Sequence, residues 1–378
     1  MEIYVVLKVI WAVLLGVLLS GLGVMVGMDM GVGTLLRFVG KNDGERRVAL
    51  NIIGPHWDGN QVWFILGGGA IFAAFPTLYA TSFSVFYVVM ILLLFSMIIR
   101  PVAFEYRSKV AAGAWRETWD WGFLISGALP VIVYGAAFGN VLEGVGYHYS
   151  WTGQYYQDES FLSYLLNPFA VMCGVVSLCL SIAQGGTMLQ LRGEEPIYGR
   201  ARVASIGAAI VAAVLFAVGG VWIAHMNGYV ISGVDPNGPA TPLFGQTVTL
   251  QNGAWLNNFH AYPLLWALPA LGFVGMLGSA AFNALRLPVV AWWLGAASWI
   301  GAIFTTGAAM FPFLMPSSTD PNVSLTVWNA SGSQYNLGWM LFFALVFTPI
   351  ILAYTSWCFY VMRGKVKVED VANDTHSY

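Results

Sequence analysis

Charge is what this chain of 378 residues has least of: Asp, Glu, Lys and Arg make up 9% of it, where a soluble globular domain carries about 25%. So few charges cannot cover a water-facing surface, which excludes a soluble enzyme and a nucleic-acid-binding module. Cysteine is almost missing too. Cys173, Cys179 and Cys358 all sit in apolar runs without C-x-x-C spacing, so a disulfide or thiolate-metal framework is excluded and they read as small core residues. There is no G-x-x-x-x-G-K-[ST], H-x-x-E-H or C-x-x-C-H, which leaves nucleotide, zinc-protease and c-type haem chemistry without their motifs. The N-terminus lacks a basic n-region and a small-residue cleavage site, so its first apolar run is expected to be a retained helix. What is present is apolar: 58% hydrophobic residues and a mean hydropathy of +0.70. The composition is that of a polytopic membrane protein.

A helix needs about 20 apolar residues to cross the hydrocarbon layer. On that criterion the sequence predicts nine spans, at approximately 5–35, 57–78, 82–103, 118–140, 161–190, 203–226, 262–284, 288–312 and 337–361, in a single all-α membrane domain covering 1–378. Fifteen of the sixteen basic residues fall after spans 1, 3, 5, 7 and 9, and only Lys8 lies elsewhere. The positive-inside rule then puts the N-terminus outside and the C-terminus in the cytoplasm. The opposite linkers 141–160, 227–261 and 313–336 hold no basic residue and are rich in Tyr, Trp, Asn, Gly and Pro, as expected of ordered turns and interfacial aromatic belts. Of the five histidines, His148 and His260 fall in these linkers, His225 closes span 6 and His376 is in the terminal tail, so only His56 is near a polar cluster. Haem or metal ligation by this chain is therefore poorly supported, and the fourteen Met read as packing residues.

That cluster is Pro55-His56-Trp57-Asp58-Gly59-Asn60-Gln61-Val62-Trp63 at the start of span 2. An ionisable residue in a membrane segment normally faces protein or water and serves function. Asp58 reads either as a helix cap or as part of a hydrated, proton-conducting site, and His56 and Asn60 share a helix face at i, i+4. Asp29, among Gly27, Gly31 and Gly33, reads as an acid at a close helix contact or as a proton-handling group. Arg100 ends span 3 and either snorkels to the headgroups or pairs with Asp29 or Asp58. Asp120 reads either as an acid explained by capping and dipole complementarity at the start of span 4 or as a further member of a proton path or interface polar cluster with Asp58, Asp29, Arg100, His56 and Asn60. Gly67-Gly68-Gly69 reads as a packing surface, since it lacks the context of a phosphate loop.

The runs Gly27-x-Asp29-Met30-Gly31-Val32-Gly33, Asn42-Asp43-x-Glu45-Arg46-Arg47, Pro55 to Trp63, Arg100-Pro101-Val102-x-Phe104-x-Tyr106-Arg107-Ser108-Lys109, Leu166-Asn167-Pro168-Phe169 and Phe311-Pro312-Phe313-x-Met315-Pro316-Ser317-Ser318 together resemble subunit II of the cytochrome bd-type quinol oxidases, over essentially the whole chain. The resemblance implies nine transmembrane helices arranged as two four-helix bundles plus a peripheral helix. It implies a heterodimer with a haem-bearing subunit I, which holds two b-type haems and haem d and forms the quinol site, with room for a small accessory subunit. It implies a bacterial cytoplasmic membrane, and a chain that ligates no cofactor and is not catalytic alone. The family's acid in the His-Trp-Asp-Gly-Asn run falls on Asp58, near a hydrophilic path at the subunit interface, and Asp29, Arg100 and Asp120 fall on other polar positions. Two positions depart from the pattern: Val26 stands where the family usually has an acid, and Asn329 where Asp is common, which reads as a dispensable surface charge. A bound lipid or quinone in the Gly-rich grooves is left open by the sequence. The rival readings are a proton-coupled secondary transporter and a purely structural scaffold.

Overall fold

With no water to pair backbone groups in hydrocarbon, a chain of this composition has to close its hydrogen bonds within helices. In the computed structural model, residues 3–238, 240, 241, 246–367, 369 and 371 are described; His376 and Pro239 lie outside them. In chain order the helices are α1 (Ile3–Val39), α2 (Asp43–Ile53), α3 (Trp57–Ala74), α4 (Pro76–Val85), α5 (Tyr87–Tyr106), α6 (Gly113–Glu143), α7 (Phe161–Leu166), α8 (Pro168–Arg192), α9 (Ile197–His225), α10 (Asn257–Ala261), α11 (Ala267–Ala284), α12 (Pro288–Met310) and α13 (Gln334–Val361). Among the described residues, eight helical segments are long and apolar enough to cross a membrane, or nine if α3 and α4 are one broken span.

That broken span corrects the expected helix at 57–78. α3 and α4 meet at 119°, because Pro76 disfavours helical geometry in the residue before it; Phe75 sits at φ −133°, ψ 66°. The chain then turns again at Phe86 into α5.

Helix α1 is the hub, packing against α3, α6, α8 and α12. Small residues let backbones approach in a membrane, and here a Cβ on Gly31 would lie 1.9 Å from the Ser181 carbonyl oxygen, while one on Gly185 would lie 2.5 Å from the Val32 nitrogen. The close helix contact expected around Asp29 is thus made with α8. The triplet Gly67 to Gly69 behaves differently from expectation: nothing among the described residues lies within 4 Å of where their Cβ atoms would be.

The basic-poor linkers form a layer at one end. Three antiparallel hairpins build it: β1 (Tyr147–Tyr149) with β2 (Tyr155–Gln157), β3 (Asn227–Ser232) with β4 (Thr247–Asn252), and β5 (Phe313–Met315) with β6 (Leu325–Thr326). Lys8 reaches into this layer, its Nζ donating to the carbonyls of Pro236 (2.9 Å) and Trp328 (2.8 Å). Asn329 is buried here, so the expectation of a surface position is corrected. Its Oδ1 accepts from Thr326 N (2.7 Å) and its Nδ2 donates to Gln246 Oε1 (3.1 Å) and the Ser324 carbonyl (3.0 Å), donations that an ionised Asp could not make. Val26 is a core residue packed with Trp299 and Met30.

At the other end the amphipathic helix α2 lies across the basic ends of the bundle. Its start is a capping box: Glu45 N donates to Asn42 Oδ1 (2.9 Å) and Lys41 N donates to Glu45 Oε2 (2.7 Å), with Arg200 Nη1 at 2.6 Å from the same carboxylate oxygen. Burial alone would raise the Glu45 carboxyl, but the hydrogen bonds from Lys41, Arg200 and Asn42 outweigh it and hold it below the usual carboxylate range.

Candidate functional site

The link from α2 to α3 runs through Gly54 and Pro55 to His56, which stands as the N-cap of α3 at φ −132°, ψ −6° without a side-chain capping bond. This corner points His56 and, one turn on, Asn60 back at the middle of α1. Asn60 Nδ2 donates to Asp29 Oδ2 (2.8 Å) and lies 3.2 Å from His56 Nδ1. An amide nitrogen has two protons to give, so Asn60 Nδ2 is placed to serve both the Asp29 carboxylate and the His56 ring. The second Asp29 oxygen is 3.5 Å from His56 Nδ1, beyond hydrogen-bond reach.

All of this is dry. Asp29 is 1% exposed, Asn60 2%, His56 6% and Arg100 2%. Arg100, on α5, is itself buried, which does not agree with snorkelling to the headgroups, and its two Nη atoms make no hydrogen bond to Asp29 or Asp58. Four polar atoms of the group have no hydrogen-bond partner among the described residues: Asp29 Oδ1, His56 Nε2 and both Arg100 Nη atoms. A buried charge in that state is costly unless water or another group completes it.

Asp58 does not join them. It lies in the first turn of α3 and is exposed, on a stripe that continues through Val62, Ile65, Gly69 and Phe72, all exposed as well. The N-cap position belongs to His56, so the capping reading of Asp58 fails.

Asp120 is also not a cap, because α6 begins seven residues earlier, at Gly113. Its side chain is fully buried between α2, α5 and α6, accepting from Arg107 Nε (2.6 Å) and Nη2 (3.2 Å) and from Arg46 Nη1 (2.8 Å). Opposite charges alternate outward from this hub. Arg46 also pairs with Glu117 (2.9 Å), which pairs with Arg37, and Arg107 pairs with Asp43 (2.9 Å), which pairs with Arg116 (2.7 Å). Sequence reading took Arg37, Arg46, Arg107 and Arg116 as topology signals, with Arg46 and Arg107 also inside motifs of the resemblance, and paired none of them with Asp120. The Trp57 ring, stacked 4.7 Å from Phe104, which meets Phe123 edge-on at 4.8 Å, ties the start of α3 to α5 and α6. No three His, Cys, Asp or Glu side chains among the described residues come together as a metal site.

An apolar helical bundle with an acid, an amide, an imidazole and a guanidinium shut inside it defines a polytopic membrane protein with ionisable groups buried among its helices. The profile of the cytochrome bd terminal oxidase subunit II family matches residues 7–362, and the chain belongs to that family. It is 47% identical to the cytochrome bd-I ubiquinol oxidase subunit 2 of Escherichia coli K12 over 377 residues, 99% of each chain. With the cytochrome bd ubiquinol oxidase subunit 2 of Bacillus subtilis 168 the identity is 30% over 361 residues, 94% of this chain and 96% of the relative. The fold is shared with a bd oxidase structure from Geobacillus thermodenitrificans, at a TM-score of 0.70 and 13% identity over 95% of this chain and 100% of that one. The resemblance read from the motifs therefore holds. The chain is a multi-pass inner-membrane subunit of a terminal oxidase, an oxidoreductase complex in which another subunit is implied. Nothing in these likenesses supports a transporter.

Proposed function

We propose that this chain is the subunit without haem ligands in a quinol:oxygen oxidoreductase, paired as a heterodimer with a subunit I that holds two b-type haems and haem d. The complex oxidises quinol, reduces O₂ to water, draws its chemical protons from the cytoplasm and releases quinol protons outside. In this reading the N-terminus is outside, and the basic end with α2 faces the cytoplasm, as the positive-inside rule requires.

The observation that carries the proposal is the buried constellation of Asp29, Asn60, His56 and Arg100. Its four unpartnered polar atoms call for internal water. An acid, an imidazole and water in one buried file are the parts of a proton relay. Asp58 stands at the start of the same helix, on its exposed stripe, and next to that stripe the glycines at 67 to 69 leave room for another backbone. We assign this face to subunit I, which places the Asp58 carboxylate at the joint between the chains. The haems supply the electron chemistry in the partner; the residues of this chain hold and hand on protons at the Asp29 and Asp58 carboxylates.

His56 is the one buried histidine among the described residues, its Nδ1 is taken up by Asn60, and Phe359 covers its ring face at 4.6 Å. These contacts support a role other than haem ligation. A bound lipid or quinone tail has a separate place, an apolar cavity of about 470 Å³ lined from α6, α8, α9, α11 and α12, with Trp299 and Ser177 among its lining residues. Affinity purification of this chain from its own membranes, read by visible absorbance, tests the assignment: co-purified b- and d-type haem bands support it, and a colourless, monodisperse chain contradicts it.

A further inference from the structure

Helix α13 is a loosely held element at the edge of the bundle, where Leu337 is the one fully buried residue among those described in it. Its basic end nevertheless touches the buried cluster, through the Phe359 ring on His56. What fixes that end is the segment that follows. The Val366 N–H donates to the Arg192 carbonyl (2.8 Å), and Lys365 Nζ donates to the carbonyls of Gln190 (3.1 Å) and Gly193 (2.8 Å). These carbonyls close the C-terminal end of α8, where a cation is favoured by unpaired carbonyls and by the helix dipole. Arg192 answers in the other direction, donating from Nε to the Gly364 carbonyl (3.2 Å) and from Nη1 to the Ile52 carbonyl (2.9 Å). Ile52 lies four residues before His56 in the chain. Val371 is buried with Ile52, Ile53 and Ile197, and Phe359 and Val366 pack against the same cluster. One set of bonds thus joins the end of α8, the corner that carries His56 and the helix that carries Phe359.

We propose that Gly364–Val366, anchored by Lys365 on the end of α8, is a clasp that holds Phe359 as a lid over His56 and so closes the basic end of the buried cluster. Phe359 is a positioning residue here: it covers the ring and fixes its plane while touching no reacting group. Its meaning for turnover rests on the proton-relay reading, whereas the geometry of the lid does not.

The test reads the lid alone. Membranes containing the intact complex are treated with diethylpyrocarbonate, which carbethoxylates an accessible neutral imidazole nitrogen and releases ethanol and carbon dioxide, and modification of His56 is followed by peptide mass spectrometry against the exposed His260. Local opening sets the rate of such labelling. Phe359→Ala and, separately, Lys365→Met, which lies away from the ring contact, are each expected to raise His56 labelling about tenfold relative to His260, by making the open state more populated. Phe359→Trp retains a ring over His56 and stays at the wild-type rate. Labelling that rises for Phe359→Ala alone overturns the clasp, and wild-type labelling in both variants overturns the lid as well. Turnover measured in the same membranes bears only on the relay, so the two claims fail separately.

Discussion

At the scale of single residues, the decisive contrast is between two acids that look alike in sequence. Sequence reading put both Asp58 and Asp120 at the start of a span, yet one is exposed and the other is the buried hub of an alternating ladder of four arginines and three acids. Removing one partner of a buried ion pair leaves the other charge uncompensated in a poor solvent. Asp120→Asn is therefore expected to cost about 3–5 kcal/mol, read as a fall in the thermal midpoint of the detergent-solubilised complex. The double variant Asp120→Leu with Arg107→Met should recover much of that loss, because apolar side chains of similar size need no pairing. An Asp120→Asn protein as stable as wild type would show that Arg46 and Arg107 find other partners. None of this was legible in the sequence. Each arginine of the ladder had a sufficient explanation in topology, and the convergence of Arg46, Arg107 and Asp120 depends on how three helix ends are brought together. The i, i+4 relation of His56 and Asn60 was legible, because it is internal to one helix; that both turn toward Asp29 was not.

At the scale of elements, hydropathy located the membrane runs because it measures composition, and it missed the bend between α3 and α4 because composition carries no direction. Pro76 marked the break all the same. Helix α2 was passed over as linker, although Asn42-x-x-Glu45 spells its capping box, since an amphipathic helix lying across the bundle has no long apolar run. The three hairpins were read as ordered turns without their pairing. The glycine triplet of α3 gives a test at this scale. In a helix interior Gly→Ala gains about 1 kcal/mol, and among the described residues nothing opposes a Cβ at these positions. Gly69→Leu should then leave the fold of this chain intact while lowering the yield of haem-containing complex, if α3 is where subunit I approaches. Full assembly of Gly69→Leu would move the interface to another face.

At the scale of the whole molecule, the chain divides into a hairpin layer at one end, an arginine-rich clamp at the other, and a hub helix that carries Asp29 between them. Both ends are tied by bonds between distant segments, and the buried cluster lies between them with Asp58 at the surface beside it. That arrangement suits a subunit that conducts protons for a partner. The measurement that bears on it most directly is proton uptake and quinol-driven oxygen consumption by the purified complex carrying Asp58→Asn. Asparagine keeps the size and hydrogen-bonding capacity of the side chain but cannot take up a proton near neutral pH. The account predicts slower turnover and slower proton uptake with haem spectra unchanged; wild-type rates of both, with the complex fully assembled, would contradict it.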